Sequence, residues 1–270
     1  MNKLLITGIP RSGTTLTTAI IDGLDDSLAL SEPQSHVDLI EKCDSADKYA
    51  ESIYHDLIDV RATLLKGQPI LDRRNSSGQA ITNYFTRTEG KTVNQFKIMP
   101  IIKPNLSKNF LLASKHNAHY TAALPSILAL TDLPILFVIR HPIPTILSWR
   151  SLQLPISKGR LPAGEKYWKE LSDWVKSSQD TLRIQIGIYD LFCKRYLEYQ
   201  NKIQLVRYEQ LTENESLIPN ILKKNIETRV AIKSENKNHS YNFNEVEKIK
   251  NLLELYAPHA KELYTNFDKF

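Results

Sequence analysis

The chain has 270 residues, 41% hydrophobic and 24% charged, and a net charge of +5 from 35 Lys and Arg against 30 Asp and Glu. That length and apolar content suffice for a folded core, and two isolated cysteines, Cys43 and Cys193, form neither a disulfide framework nor a CxxC pair. No apolar run approaches the roughly 18 residues of a membrane span, and the first apolar segment starts near Lys3, which leaves no room for a signal peptide. The expectation is a single cytoplasmic domain over residues 1–270 with no integral membrane segment.

LLITGI, residues 4–9, reads as a short buried strand, and TTLTTAIIDGL after it carries apolar residues at helical spacing. Between them lies GIPRSGTT, in which Gly8 and Gly13 are separated by four residues as in a nucleotide-binding P-loop. Thr14 occupies the position of the P-loop lysine, the side chain that reaches the β- and γ-phosphates, so ordinary ATP chemistry is poorly supported. What survives is an anion cradle. It comprises backbone N–H groups at a helix N-terminus, hydroxyls from Ser12, Thr14 and Thr15, and one fixed cation, Arg11.

A charged helical pattern runs from about Val37 to Leu65, punctuated by Gly67 and Pro69. DRRNSSG, residues 72–78, reads as a polar loop whose Asp72, Arg73 and Arg74 are solvated or meet an acidic substrate. FLLASK, 110–115, is a second buried strand, followed by helical sequence to Leu130 despite Pro125. PILFVIR, 134–140, is the clearest interior strand, with a helix from near Pro142; a long helical stretch spans about Glu165 to Tyr199, then comes the strand KIQLVRY, 202–208. Residues 223–242 are polar and irregular, and two short helices close the chain. Strand-then-helix order with apolar, non-alternating strands predicts an α/β fold, a central, mostly parallel sheet covered by helices on both faces.

Charge is concentrated between Lys91 and Arg160, where nine basic residues face one acid, Asp132. Such a bias suits a solvated basic face or a pocket for a multiply anionic small molecule; without interleaved aromatics or a recognised motif, no nucleic-acid partner is expected. Open parallel sheets bind ligands beyond the C-terminal ends of their strands. Four predicted strand ends carry suggestive groups: GIPRSGTT; SKHN with Lys115; VIRHPIPTILSW with Arg140 and, eight residues on, Ser148; and LVRYEQL with Tyr208.

Together these residues resemble the sulfotransferase superfamily, whose members transfer a sulfuryl group from 3′-phosphoadenosine 5′-phosphosulfate (PAPS) to an acceptor hydroxyl or amine. PRSGTTL, 10–16, is similar to the family's 5′-phosphosulfate loop, and RHPIPTILS, 140–148, to its 3′-phosphate site, although His141 departs from the aspartate common there. An arginine in the first loop points to the bacterial and tyrosylprotein-sulfotransferase-like subgroup. In tyrosylprotein sulfotransferases a catalytic glutamate follows that arginine by 21 residues, and Glu32 stands at that distance from Arg11. The resemblance implies a P-loop-type three-layer α/β/α fold, with helical acceptor-side insertions at about 37–90 and 151–200. It implies Glu32, Arg11 and Lys115 as catalytic groups, and Pro10, Arg11, Ser12, Gly13, Thr14, Thr15, Arg140, Ser148 and Tyr208 as contacts to PAPS or its product 3′,5′-ADP. No metal is expected, and the acceptor is a small molecule, carbohydrate, lipid or peptide.

Other readings stay open from the residues alone. His36 competes with Glu32 as base; Lys115 can simply pair with a carboxylate, and Tyr208 can be a packing residue. His116 and His119 form an H-x-x-H without a third ligand, a weak metal signal better suited to a core role. Trp149, Trp168 and Trp174 read as core residues. A P-loop small-molecule kinase using ATP and Mg²⁺, and a non-catalytic anion or nucleic-acid binding protein, are the alternative functions.

Overall fold

The structure is a computed structural model that describes residues 2–88, 91–236 and 242–267. In chain order the elements are β1 (Lys3–Gly8), α1 (Thr14–Asp22), β2 (Ser27–Ser31), α2 (Gln34–Lys42), α3 (Ala46–Leu65), β3 (Ile70–Arg74), β4 (Phe85–Thr88), β5 (Lys91–Asn94) and β6 (Lys97–Ile101). There follow β7 (Leu111–Lys115), α4 (Asn117–Ala122), α5 (Leu124–Leu130), β8 (Ile135–Ile139), α6 (Pro142–Ser151), α7 (Pro162–Glu165), α8 (Lys169–Trp174) and α9 (Thr181–Tyr199). The chain continues through β9 (Gln204–Arg207), α10 (Tyr208–Glu213), α11 (Leu217–Leu222), α12 (Phe243–Tyr256) and α13 (Pro258–Leu263).

Among the described residues the central sheet has five strands in the order β2-β7-β1-β8-β9, every pairing parallel. Successive side chains of a strand point to opposite faces, so these leucine- and isoleucine-rich strands supply two cores at once. Leu5, Leu112 and Phe137 pack on one face with residues of α3, α6 and α9. Leu4, Ile6 and Val138 pack on the other with α1 and α11. The predicted three-layer α/β architecture is therefore present. From β1 the chain passes first to β2 on one side and later to β8 and β9 on the other, which makes the C-terminal end of β1 the switch point where a crevice opens.

Three expectations need correction. SLALS, read without a strand, is β2, an edge strand whose five residues are all buried. The expected loop at 72–78 begins inside β3, where Asp72 and Arg74 are 1% and 2% exposed rather than solvated. The stretch expected as one long helix from Glu165 to Tyr199 is interrupted between Trp174 and Thr181; Asp180 caps α9 by accepting from the N–H groups of Leu182 and Arg183. Residues 70–101 also carry two antiparallel pairs, β3 with β6 and β4 with β5. Among the described residues no helix is long and apolar enough to cross a membrane.

Candidate active site

The loop between β1 and α1 is shaped by its glycines and tied down from below. Gly8 has φ 136°, Arg11 φ 69° and Gly13 φ 95°, a run of left-handed positions that folds residues 9–13 tightly over the sheet end. Ile9 N–H and the Ser12 hydroxyl both donate to Val138 O of β8, at 3.1 and 2.8 Å. The buried Trp149 indole donates to Pro10 O at 2.7 Å. Ser12 is thus an internal strut of the loop, its hydroxyl turned to the sheet. Thr14 and Thr15 open α1, and the N–H groups of a first helical turn have no carbonyl within the helix to accept from them. With the positive end of the helix dipole they form a site for an anion.

Arg11 joins the two halves of the sequence motif. Its Nε donates to Ser148 Oγ at 3.2 Å, its Nη1 donates to Asn83 Oδ1 at 2.9 Å, and Arg140 Nη1 donates to Arg11 O at 3.3 Å. Burial, helped by the neighbouring charge of Arg140, lowers the Arg11 guanidinium to about 10, which leaves it cationic at neutral pH. Arg140 also donates to Asn236 Oδ1 at 2.7 Å and Glu235 O at 2.5 Å, and its guanidinium lies 4.6 Å from the Tyr208 ring centroid. The Tyr208 hydroxyl donates to Lys233 O and accepts from Glu235 N. The ring of Tyr208 closes over Gly13, where an added Cβ would lie 2.5 Å from Cδ2. Residues 233–236 are therefore laid across Arg140 and Tyr208.

Beside this loop, Glu32 directly follows β2 and leaves the strand with a φ of 57°. Glu32 N–H donates to Lys115 O at 2.9 Å, and Lys115 Nζ returns to Glu32 Oε1 at 2.7 Å. Arg73 Nη1 pairs with Oε2. Burial alone would raise the Glu32 carboxyl, but Lys115 and Arg73 hold it below the usual carboxylate range. Burial also lowers Lys115, whose side chain is 1% exposed and sits 4.4 Å from the Tyr84 ring. An ionised carboxylate has about four lone-pair sites, so two charge-assisted bonds leave Glu32 able to accept another proton.

A cleft of about 310 Å³ is lined by Arg11, Thr14, Glu32, Lys115, Arg140 and Tyr208 together with Pro10, Gly13 and Thr15. A second, more polar chamber of about 760 Å³ lies across Arg11 and is lined by Arg140, Ser148 and Arg150. Nine residues expected at the site from sequence thus share the first cleft; Ser148 lies in the second chamber, and Ser12 is beneath the loop.

His36 is set apart from the cleft. It is fully buried, its Nε2 lies 2.8 Å from Asp56 Oδ2, and its Nδ1 bonds the Tyr120 hydroxyl, which also bonds Ser114. It lines neither chamber. His116 and His119 stack with ring centroids 3.7 Å apart, and His116 Nδ1 accepts from His119 N–H at the start of α4. Burial drives His116 well below its usual range and His119 down to about 3, so both are neutral. Sequence reasoning missed Asn83, Asn236 and the pairing of Arg73. Arg73 had a signal in the unbroken DRR triplet after the apolar Ile70 and Leu71, a pattern that also suits a strand end; Asn83 had none.

Fold and loop geometry together define an α/β protein whose glycine-bent β1–α1 loop, carrying Arg11, lies at the switch point of a parallel sheet. A solved structure titled "Sulfotransferase Domain from the Curacin Biosynthetic Pathway" is similar at 15% identity with a TM-score of 0.43, covering 83% of this chain and 74% of that one. No protein-family model matches the chain, and no curated protein sequence does.

Proposed function

We propose that this chain is a PAPS-dependent sulfotransferase acting on a hydroxyl or amine acceptor. The observation that carries the reading is the convergence on Arg11: a loop suited to a 5′-phosphosulfate and an Arg140–Ser148 pair suited to a 3′-phosphate, 137 residues apart in sequence at the Arg11–Ser148 contact, meet at one guanidinium. The side chains suit the donor. Arg140 has five N–H donors, of which three are engaged by Arg11, Glu235 and Asn236, and the open first turn of α1 faces the cleft beside it.

In this scheme the acceptor oxygen forms a bond to sulfur as the bond from sulfur to the phosphate oxygen breaks, and 3′,5′-ADP leaves with that electron pair. The acceptor proton passes to Glu32. Arg11 and Lys115 stabilise charge on the transferring sulfuryl and bridging oxygens, the work that preorganised donors do best in a site shielded from water. Arg140 and Ser148 hold the 3′-phosphate and so select PAPS over nucleotides that lack it.

Calorimetric titration with 3′,5′-ADP, 5′-ADP and ATP, each with and without Mg²⁺, tests the reading. A hydrogen bond to a charged group contributes about 1.5–3 kcal/mol, so 3′,5′-ADP should bind roughly 10- to 100-fold more tightly than 5′-ADP, without dependence on Mg²⁺. Preference for Mg-ATP, or indifference to the 3′-phosphate, would refute it.

A further inference from the structure

Three consecutive residues of β3 grip β2 and the Glu32 that follows it. Asp72 Oδ1 accepts from Ser31 N–H at 2.8 Å, and its Oδ2 accepts from Arg74 Nε at 2.7 Å. Arg74 in turn donates to Asp22 at 2.7 Å and to Ala29 O at 2.8 Å. These buried bonds fasten β3 along β2. Arg73, between them, reaches the Glu32 carboxylate and lines neither chamber of the cleft. Its guanidinium is confined 4.8 Å from the Phe96 ring and 5.6 Å from the Tyr84 ring.

We propose that Arg73 is a positioning residue for sulfuryl transfer, holding the Glu32 carboxylate ionised beside Lys115 and directing its free lone pairs into the cleft. The inference deepens the sulfotransferase reading and rests on it for the reaction that Glu32 serves. Lys115 alone is a point charge on a flexible stem; the planar guanidinium fixes the direction of its partner as well as its charge. The groups facing Glu32 are Lys115 from β7, Arg73 from β3, Tyr84 ahead of β4, and the neutral His116 and His119 at the start of α4, with Asp72 close to Lys115. Removing Arg73 leaves Lys115 as the one cation bonded to the carboxylate among the described residues, so Glu32 binds its proton more tightly.

The test compares wild type, Arg73→Gln and Arg73→Lys by two readouts. One is the titration of Glu32 followed by ¹³C NMR of glutamate-labelled protein; the other is the pH profile of kcat/KM with PAPS. Glu32 must be ionised to accept a proton, so its midpoint and the acid limb of the profile should both move up by at least one pH unit in Arg73→Gln. Arg73→Lys should recover most of that shift, and the affinity for 3′,5′-ADP should stay at the wild-type value. An unmoved Glu32 midpoint in a variant that still binds 3′,5′-ADP overturns the proposal. If Arg73→Gln does not fold, Arg73→Met keeps an apolar stem between Tyr84 and Phe96 and reads the same midpoint. Should the chain prove not to use PAPS, the NMR midpoint still decides, with wild-type circular dichroism as the check on folding.

Discussion

Glu32→Gln should bind 3′,5′-ADP with near wild-type affinity and lose about 10²- to 10⁴-fold in kcat, the contribution typical of a positioned general base. The substitution keeps the size of the side chain and demands no new backbone conformation at φ 57°. It removes the negative charge between Lys115 and Arg73, which sit 2.7 Å away and in direct contact respectively. Two cations then face each other around a neutral amide, and because Lys115 is buried the protein should also lose stability, by up to about 3–5 kcal/mol for a broken buried pair. The binding measurement separates the two effects, since unfolding would abolish 3′,5′-ADP binding with activity. A folded variant that turned over at the wild-type rate would remove Glu32 from the mechanism, and His36, sealed behind Tyr120 and Asp56, would not replace it.

The second large effect is expected at a residue that carries no chemistry. Gly8 pairs in register with Val138 of β8, and a Cβ on residue 8 would lie 2.1 Å from Val138 O and 2.6 Å from Val138 N. Those neighbours are backbone atoms of a central strand, and Val138 O also accepts from Ile9 N–H and from the Ser12 hydroxyl. Gly8→Ala must therefore part β1 from β8 and adopt φ 136° with a side chain. A left-handed strain of about 1–3 kcal/mol and two weakened hydrogen bonds at about 0.5–1.5 kcal/mol each give an expected destabilisation of about 2–6 kcal/mol. For a chain of this size that lowers the thermal midpoint by roughly 4–12 °C. A midpoint within about 1 °C of wild type would mean that the loop does not cross the sheet end as described. Because Arg11 is borne on the same loop, nucleotide affinity should fall along with stability.

The parts of the site that were legible in the sequence are those made by local chain geometry. Gly8, Gly13 and the hydroxyl-rich first turn of α1 announce an anion loop because only glycine accommodates those backbone angles, and helical ends leave their N–H groups open. The strands around it, β1, β7 and β8, were visible as apolar runs because they are covered on both faces, and β9 was visible through its apolar Leu205 and Val206 although only Val206 is buried. The edge strand β2 was not visible; SLALS is short and mixes serine with leucine, and its burial depends on helices and on β3 elsewhere in the chain. For the same reason DRR looked like a solvated loop. Asp72 and Arg74 are buried and Arg73 half-buried because Ser31 N–H, Ala29 O, Asp22 and Glu32 come to meet them.

By itself, then, the sequence determined the α/β layering and the glycine-bent β1–α1 loop that carries Arg11, with Thr14 at the position of the P-loop lysine, since both follow from burial patterns and backbone preferences confined to a few consecutive residues. Tertiary structure alone decided which charges neutralise one another. It brought Ser148 to Arg11, Lys115 and Arg73 to Glu32, and Asp56 to His36, across separations of 137, 83, 41 and 20 residues. Electrostatic pairing acts through distance in space, to which separation along the chain is no guide.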